Sequence, residues 1–332
     1  RLGSMSADRC LRWCLGQHES SRGVVAGEAR KLICGRFQLG ECIGQGGFAD
    51  VWSAADVREP RKVALAVKRL KTPWSDGASA RRAYREISVQ QSLRHDNLLP
   101  LLACYRDDEP LDPSQQTVWI VLPRLELDLH VAIRTRRVAT DVQRRSIVFQ
   151  LLCAAAHLHA RRLAHRDIKP VNILLSATSA SSTKPRATAR HGAPTSDGEE
   201  LLAPEVGFDV KLCDFGLVRP EGGPALSGSF APPPEIYAGS RWYTAPEVLL
   251  GGGDVTCSAD MWSIGCVLSE LHTGTTLFVG ASTTDQLRRT VALTGNLTEE
   301  DIDEMMPSSP VAAATLARMS PPTGDIPPRL PA

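Results

Sequence analysis

The chain has 332 residues, 42% of them apolar, and a net charge of +1. That size suits one large domain or two lobes around a buried core, and the balanced charge gives no argument for a nucleic-acid-binding surface. Nine cysteines, an odd number without C-x-x-C pairs, favour a reducing compartment over a disulfide framework or a zinc site, and no apolar run has the length of a membrane span.

Residues 1–35 have no sustained period and read as a tail. Met5 follows Arg1-Leu2-Gly3-Ser4, and arginines at 9, 12 and 22 break the first apolar residues, so no signal-peptide pattern is present. From Phe37 to Ile43 polar and apolar residues alternate as in a strand. Gly44-Gln45-Gly46-Gly47-Phe48-Ala49-Asp50-Val51 follows, leading into a second strand through Ala55. Glycines let backbone amides approach phosphate oxygens, so strand, turn and strand can lie over a phosphate chain. A plain hairpin turn fits the same residues, and Ala49 stands where a third glycine would complete G-x-G-x-x-G. The next strand is predicted over Val63–Leu70, with Lys68 at the end of an apolar run. A lysine there needs a carboxylate partner or a route to water. Residues Ser79–Leu93 read as a helix capped by Ser79, whose Glu86 is the natural partner of Lys68. Two further strands are expected, Leu98–Leu102 and Val118–Leu122, and then helices over Leu127–Ile133 and Val142–Ala160. In the last of these, Ile147, Leu151, Ala155 and Leu158 keep helical spacing, while His157 and His159 read as structural.

The richest stretch is His165-Arg166-Asp167-Ile168-Lys169-Pro170-Val171-Asn172. It sets a carboxylate, a cation and an amide on one tight loop, the set that phosphoryl transfer needs. Asp167 orients an acceptor hydroxyl and takes its proton, Lys169 steadies the moving phosphate, and Asn172 helps hold a metal. After Leu175 the composition collapses to Ser, Thr, Ala, Gly and Pro with a few bases, so residues 176–207 read as a low-complexity insertion looping out between strands. Order returns at Val210, and Asp214-Phe215-Gly216 then suits a metal-ligand turn at a strand end. Residues 217–243 are rich in Gly, Pro and Ser, as a switch segment is. Ala245-Pro246-Glu247 ends that segment, and a buried helix is expected over Asp260–Leu268 and another over Leu287–Leu293. Prolines dominate from Pro307 onward.

In this order, Gly44-x-Gly46, Ala66-Val67-Lys68, Glu86, His165-Arg166-Asp167 with Asn172, Asp214-Phe215-Gly216 and Ala245-Pro246-Glu247 resemble the signature set of eukaryotic protein kinases. The resemblance runs from about Phe37 to Leu297. Arg85-Glu86-Ile87, His95-Asp96-Asn97, Arg241-Trp242-Tyr243 and Leu277-Phe278-Val279-Gly280 are similar to mitogen-activated protein kinases in particular. Lys169 and Ser240 resemble serine/threonine kinases more than tyrosine kinases. The resemblance implies an α+β, two-lobed fold, with a small antiparallel β lobe plus one helix over a mainly helical large lobe, truncated at its C-terminal end. The small lobe would be 36–122, the large lobe 123–332, and the activation segment 214–247.

It also implies Mg²⁺ and ATP in the cleft, protein Ser/Thr substrates with proline preference, and a place in the cytoplasm or nucleus, with neither membrane nor nucleic acid as partner. Lys68, Glu86, Asp167 and Lys169 would be catalytic, and Asn172 and Asp214 would hold the metal. The nucleotide would rest on Ile43, Gly44, Gly46, Val51, Ala66, Lys68, Leu122, Leu125, Asp128 and Leu174, with Leu122 as gatekeeper. A non-catalytic scaffold is the alternative function.

The chain departs from that family in the switch. Counting back from Arg241, the family's Thr-x-Tyr pair reads Glu235-Ile236-Tyr237. Tyr237 remains a target for an upstream kinase. Arg85, Arg166 and Arg219 resemble the arginines that clamp the family's phosphothreonine, and Arg241 one of two that meet its phosphotyrosine; the other is Thr244. Glu235 either stands in for the phosphate or faces solvent. Gln90 occupies a spine position that is apolar in the family, where an amide must be bonded. The resemblance also leads one to expect two more large-lobe helices, with an arginine that pairs Glu247, beyond the last residues of this sequence.

Overall fold

The computed structural model describes residues 32–46, 49–59, 64–71, 73–106, 117–178, 207–222, 241–250 and 256–295. The architecture is α+β, a curled antiparallel sheet with one helix above a mainly helical part. The elements in order are β1 (Leu32–Ile33), β2 (Phe37–Gln45), β3 (Ala49–Asp56), β4 (Leu65–Leu70), α1 (Gly77–Ser92), β5 (Ala103–Arg106) and β6 (Val118–Pro123). Then follow β7 (Leu127–Asp128), α2 (Leu129–Arg134), α3 (Asp141–His159), β8 (Leu163–Ala164), β9 (Ile173–Thr178), β10 (Gly207–Leu212), β11 (Arg219–Pro220), α4 (Pro246–Leu249), α5 (Ser258–Thr273) and α6 (Thr283–Thr294). No helix among the described residues is long and apolar enough to cross a membrane.

Six strands form the upper sheet in the order β1-β2-β3-β4-β6-β5, each pair antiparallel. Strand β6 shows why it is central. Its side chains alternate between two buried clusters: Trp119 and Val121 pack with Phe37, Leu39, Leu65 and Val67, while Val118, Ile120 and Leu122 pack with Ala83 and Ile87 of α1. With both faces covered, a strand reads as a continuous apolar run. Below, α3 buries Ile147, Leu151, Ala155 and Leu158 against Ile173, Leu175, Val210 and Leu212 of the β9–β10 ribbon and Ile264 and Val267 of α5. The four residues with helical spacing are thus the core stripe of α3.

Several boundaries differ from the sequence expectation, and four of them have a clear cause. The cap of α1 is Asp76, not Ser79. The Asp76 Oδ1 accepts from Ala78 N at 2.7 Å and Ser79 N at 2.9 Å, and the Ser79 hydroxyl donates to Asp76 Oδ2 at 2.7 Å. A carboxylate satisfies two orphan donors of the first turn at once. Residues Leu98–Leu102 are not a strand; β5 begins at Ala103. Pro100 cannot donate to a ladder, and this stretch instead stitches the two parts together, with Leu99 N donating to Leu212 O and Leu212 N to Asn97 O, both at 2.9 Å. Strand β7 takes Leu127 and Asp128, and α2 starts one residue later with the Asp128 carboxylate capping Val131 N at 2.8 Å. Finally, β9 continues to Thr178, paired with Gly207 of β10. A partner strand satisfies the backbone that composition alone assigned to the insertion, whose residues 179–206 lie outside those described.

Gln90 settles its own question. It is buried, and its Nε2 donates to Leu99 O at 2.9 Å, so the amide in place of an apolar residue is bonded and ties α1 to the connector.

Candidate active site

Strand β4 presents alternate residues to one face, so Ala66, Lys68 and Leu70 look into the space between the two parts. Lys68 Nζ bonds Glu86 Oε1 of α1 and lies 3.6 Å from Asp214 Oδ1. Burial disfavours the Lys68 ammonium, but Asp214 and Glu86 together outweigh it and raise its pKa. Burial raises the Glu86 pKa against the pull of Lys68. For Asp214 burial again opposes ionisation, yet Lys68, Arg82, His165 and Lys169 hold the carboxyl well below its ordinary range. The neighbouring Cys213 thiol is pushed up by burial and by Asp214, which makes it inert.

Asp214 sits in the left-handed region at φ 65°, a conformation that aspartate tolerates better than most residues. Its Oδ1 is buried and, among the described residues, has no hydrogen-bond partner. Such an atom asks for a ligand.

Across the cleft, the His165–Asn172 loop converges on one carboxylate. Asp167 Oδ1 pairs with Lys169 Nζ at 2.9 Å, and Asp167 Oδ2 accepts from Asn172 Nδ2 at 2.9 Å. The same Nδ2 donates to Asp167 O at 2.8 Å. With its nitrogen committed to oxygens, the Asn172 amide keeps Oδ1 as the atom for a cation. The oxygen donors of Asn172 and Asp214 form a hard set of the kind Mg²⁺ takes beside phosphate, so the residues fit that ion.

The loop is held from below by a residue whose role the sequence did not reveal. Asp260, at the start of α5, is fully buried. Its Oδ2 accepts from His165 N at 2.8 Å and its Oδ1 from Arg166 N at 2.7 Å, and His159 Nε2 shares a 2.8 Å hydrogen bond with Oδ2. The one available signal was an aspartate opening an otherwise apolar helix. His159 is structural as expected, and His165 adds an edge contact to Phe215 with centroids 5.5 Å apart.

A cleft of roughly 720 Å³ joins these parts. Every residue expected to hold the nucleotide lines it: Ile43, Gly44, Gly46, Val51, Ala66, Lys68, Leu122, Leu125, Asp128 and Leu174, together with Lys169, Asn172 and Asp214. Sequence reading missed Val131, Val171 and Lys71 in the same cleft. Between the two parts, Arg124 N donates to Ala64 O and Glu126 N to Leu175 O. Leu125 stands between them and lines the cleft.

The three arginines of the expected clamp come together. Burial lowers the pKa of Arg85 to about 10, aided by Arg219, Arg166, Arg81 and Arg82, and burial with Arg166 and Arg81 lowers that of Arg219. Arg85 Nη1 also donates to Gly216 O at 3.2 Å, so the cluster abuts the Asp214 turn. The like charges of these arginines disfavour one another. Glu235 and Tyr237 lie outside the described residues. Arg241 Nη1 donates to Ala281 O at 3.2 Å. Burial raises the pKa of Glu247.

A family model for the protein kinase domain matches residues 37–319. Extracellular signal-regulated kinase 2 of Dictyostelium discoideum is 32% identical over 292 residues, 88% of this chain and 69% of that protein. Mitogen-activated protein kinase 15 of Xenopus laevis is 33% identical over 301 residues, 88% of this chain and 44% of that protein. Mitogen-activated protein kinase 12 of Homo sapiens is 31% identical over 263 residues, 79% of this chain and 60% of that protein. The chain thus spans between 44% and 69% of the length of these curated relatives. With this match and these motifs in the cleft, the chain belongs to the protein kinase family, as a relative of the mitogen-activated protein kinases.

Proposed function

We propose that the chain is an ATP-dependent serine/threonine protein kinase of the mitogen-activated type, proline-directed and acting in intracellular signalling. One observation carries the reading. Lys169 and Asn172, both bonded to Asp167, line one cleft of nucleotide size together with the Lys68–Glu86–Asp214 set. In this reading the Leu125 backbone meets adenine, Val51, Ala66 and Leu174 sandwich it, and Lys68, oriented by Glu86, binds phosphate oxygens. Asn172 and Asp214 hold Mg²⁺, which when bound neutralises phosphate charge and acts as a Lewis acid. Asp167 orients the substrate hydroxyl and accepts its proton, and Lys169 steadies the transferring group. Positioning and charge neutralisation supply more of the rate than the proton transfer does. The small lobe is 36–122, the large lobe 123–332, and the switch 214–247.

The test is transfer of labelled phosphate from ATP to a basic protein, with phosphoamino-acid analysis. Label on serine or threonine is expected. A chain that binds ATP and Mg²⁺ yet transfers nothing would leave only a scaffold.

Regulation follows from the arginine cluster. Glu235 supplies one negative charge where the family has a phosphate, and Arg85, Arg166 and Arg219 receive it in part. Glu235→Ala and Glu235→Gln are each expected to lower basal activity by roughly threefold to tenfold. Unchanged rates in both variants would remove this role and leave Tyr237, as the target of an upstream kinase, the sole trigger.

A further inference from the structure

Asp50 is a charge in an awkward place. It is 7% exposed and lies in the hairpin that covers the cleft, one residue before Val51. A buried carboxylate there repels incoming phosphates unless it is neutralised. Two cations of one strand end reach it: Lys71 Nζ is 2.7 Å from Asp50 Oδ1, and Arg69 Nη2 is 3.9 Å from Oδ2. Arg69 is itself fixed, its guanidinium lying 5.6 Å from the Trp52 ring centroid and 5.8 Å from that of Trp119. Lys71 is the freer arm, and it makes a second contact, donating from Nζ to Gly46 O at 3.1 Å. Gly46 N meanwhile donates to Ala49 O at 2.9 Å. Gly46, at the edge of the glycine turn, is therefore held at both its N–H and its C=O, and both Gly46 and Lys71 line the cleft.

We infer that Lys71, anchored by Asp50, is a positioning residue for the phosphates of the bound nucleotide. It ties the glycine turn between β2 and β3 to the end of β4, three residues after Lys68, and so fixes how far the turn stands from the phosphate-binding ammonium. The inference deepens the proposed nucleotide site and rests on it. It gives Asp50 a purpose as well: a carboxylate that would hinder ATP binding becomes the post on which the brace is fastened. Lys71 acts through the turn and touches neither the base nor the transferred group.

The test is titration of the whole chain with Mg·ATP and, separately, with adenosine, which has the base and sugar but no phosphates. Lys71→Met keeps the aliphatic stem and is expected to raise the Kd for ATP roughly fivefold to tenfold while leaving that for adenosine within about twofold. The KM for ATP should rise with the Kd, and the KM for the protein substrate should not. Lys71→Arg, which can still span both oxygens, should recover most of the ATP affinity. Asp50→Asn should also weaken ATP, because the brace loses its post. If Lys71 instead served as a direct phosphate ligand, freeing it from Asp50 would tighten ATP, and that result overturns the inference. So does a Lys71→Met chain that binds ATP as well as wild type, or that loses ATP and adenosine equally. A wild-type chain that binds neither compound removes the nucleotide-site reading itself.

Discussion

Asp214→Asn is expected to lower kcat for phosphate transfer by at least ~10³-fold, with the fold intact and adenosine still bound. The magnitude follows from removing one preorganised charge at the reacting centre, worth several kcal/mol in a water-poor site. The change is chosen for the backbone. Residue 214 has φ 65°, which asparagine accepts, whereas alanine adds a penalty of about 1 kcal/mol and blurs the result. The electrostatics predict a moderate loss of stability at neutral pH, because Lys68, Arg82, His165 and Lys169 favour the carboxylate, and one contact offsets part of it. Asp214 opposes ionisation of Glu86, so its removal relieves a buried like-charge contact while Lys68 keeps its bond to Glu86. The sign with pH is fixed by direction. Asp214 is held below its unfolded value in the folded chain, so its contribution to stability is present above about pH 4 and fades as pH falls through the folded value. The Asn variant should therefore show a flatter acid limb in its unfolding midpoint. A kcat within tenfold of wild type would exclude Asp214 from the chemistry, and a large fall in Tm with it would assign the loss to structure.

How much of this site the sequence disclosed depends on the range of the interaction. The His165–Asn172 loop was readable because its partners lie within a few residues: Asp167, Lys169 and Asn172 bond one another. The Lys68–Glu86 pair was readable because a lone lysine in an apolar strand demands a carboxylate, and the next helix offers one. Strand β6 and the α3 stripe followed from periodicity. What stayed hidden was long-range or depended on geometry. Nothing local says that Asp260, nearly a hundred residues on, closes beneath His165 and Arg166. Ser79 was read as the cap of α1, and only the three-dimensional turn showed that Asp76 takes that place. Leu98–Leu102 looked like a strand because apolar side chains plugging a junction and those facing a sheet have the same composition. Lys71 drew no reading from the sequence, since its contact is with a carbonyl 25 positions earlier.

Asp260→Ala is expected to destabilise the chain by about 4 kcal/mol and to lower the activity of whatever remains folded by roughly a hundredfold. Three bonds end on this carboxylate, from His165 N, Arg166 N and His159 Nε2. Alanine would leave those groups without their acceptor in a place from which solvent is excluded. Losses of this size are a large part of a domain's total stability and correspond to a fall in Tm on the order of 10 °C. The activity loss has a separate cause. Arg166 is held at φ 69°, a strained value for a residue with a long side chain, and the Asp260 Oδ1 bond to its N–H helps to hold it there. Without that bond the residue relaxes toward negative φ and turns Asp167, its neighbour, away from Asn172 and Lys169. Asp260→Asn separates the two effects. Its amide keeps one acceptor oxygen but turns an NH₂ toward a backbone donor, so roughly half of the stability returns while the loop remains misplaced. The expected pattern is a partly restored Tm with kcat still depressed and the KM for ATP close to wild type, since the proposed adenine walls at Val51, Ala66 and Leu174 do not depend on α5. Hydrogen exchange at His165 and Arg166 should quicken in both variants. An Asp260→Ala chain with wild-type Tm and kcat would show that the loop needs no post beneath it.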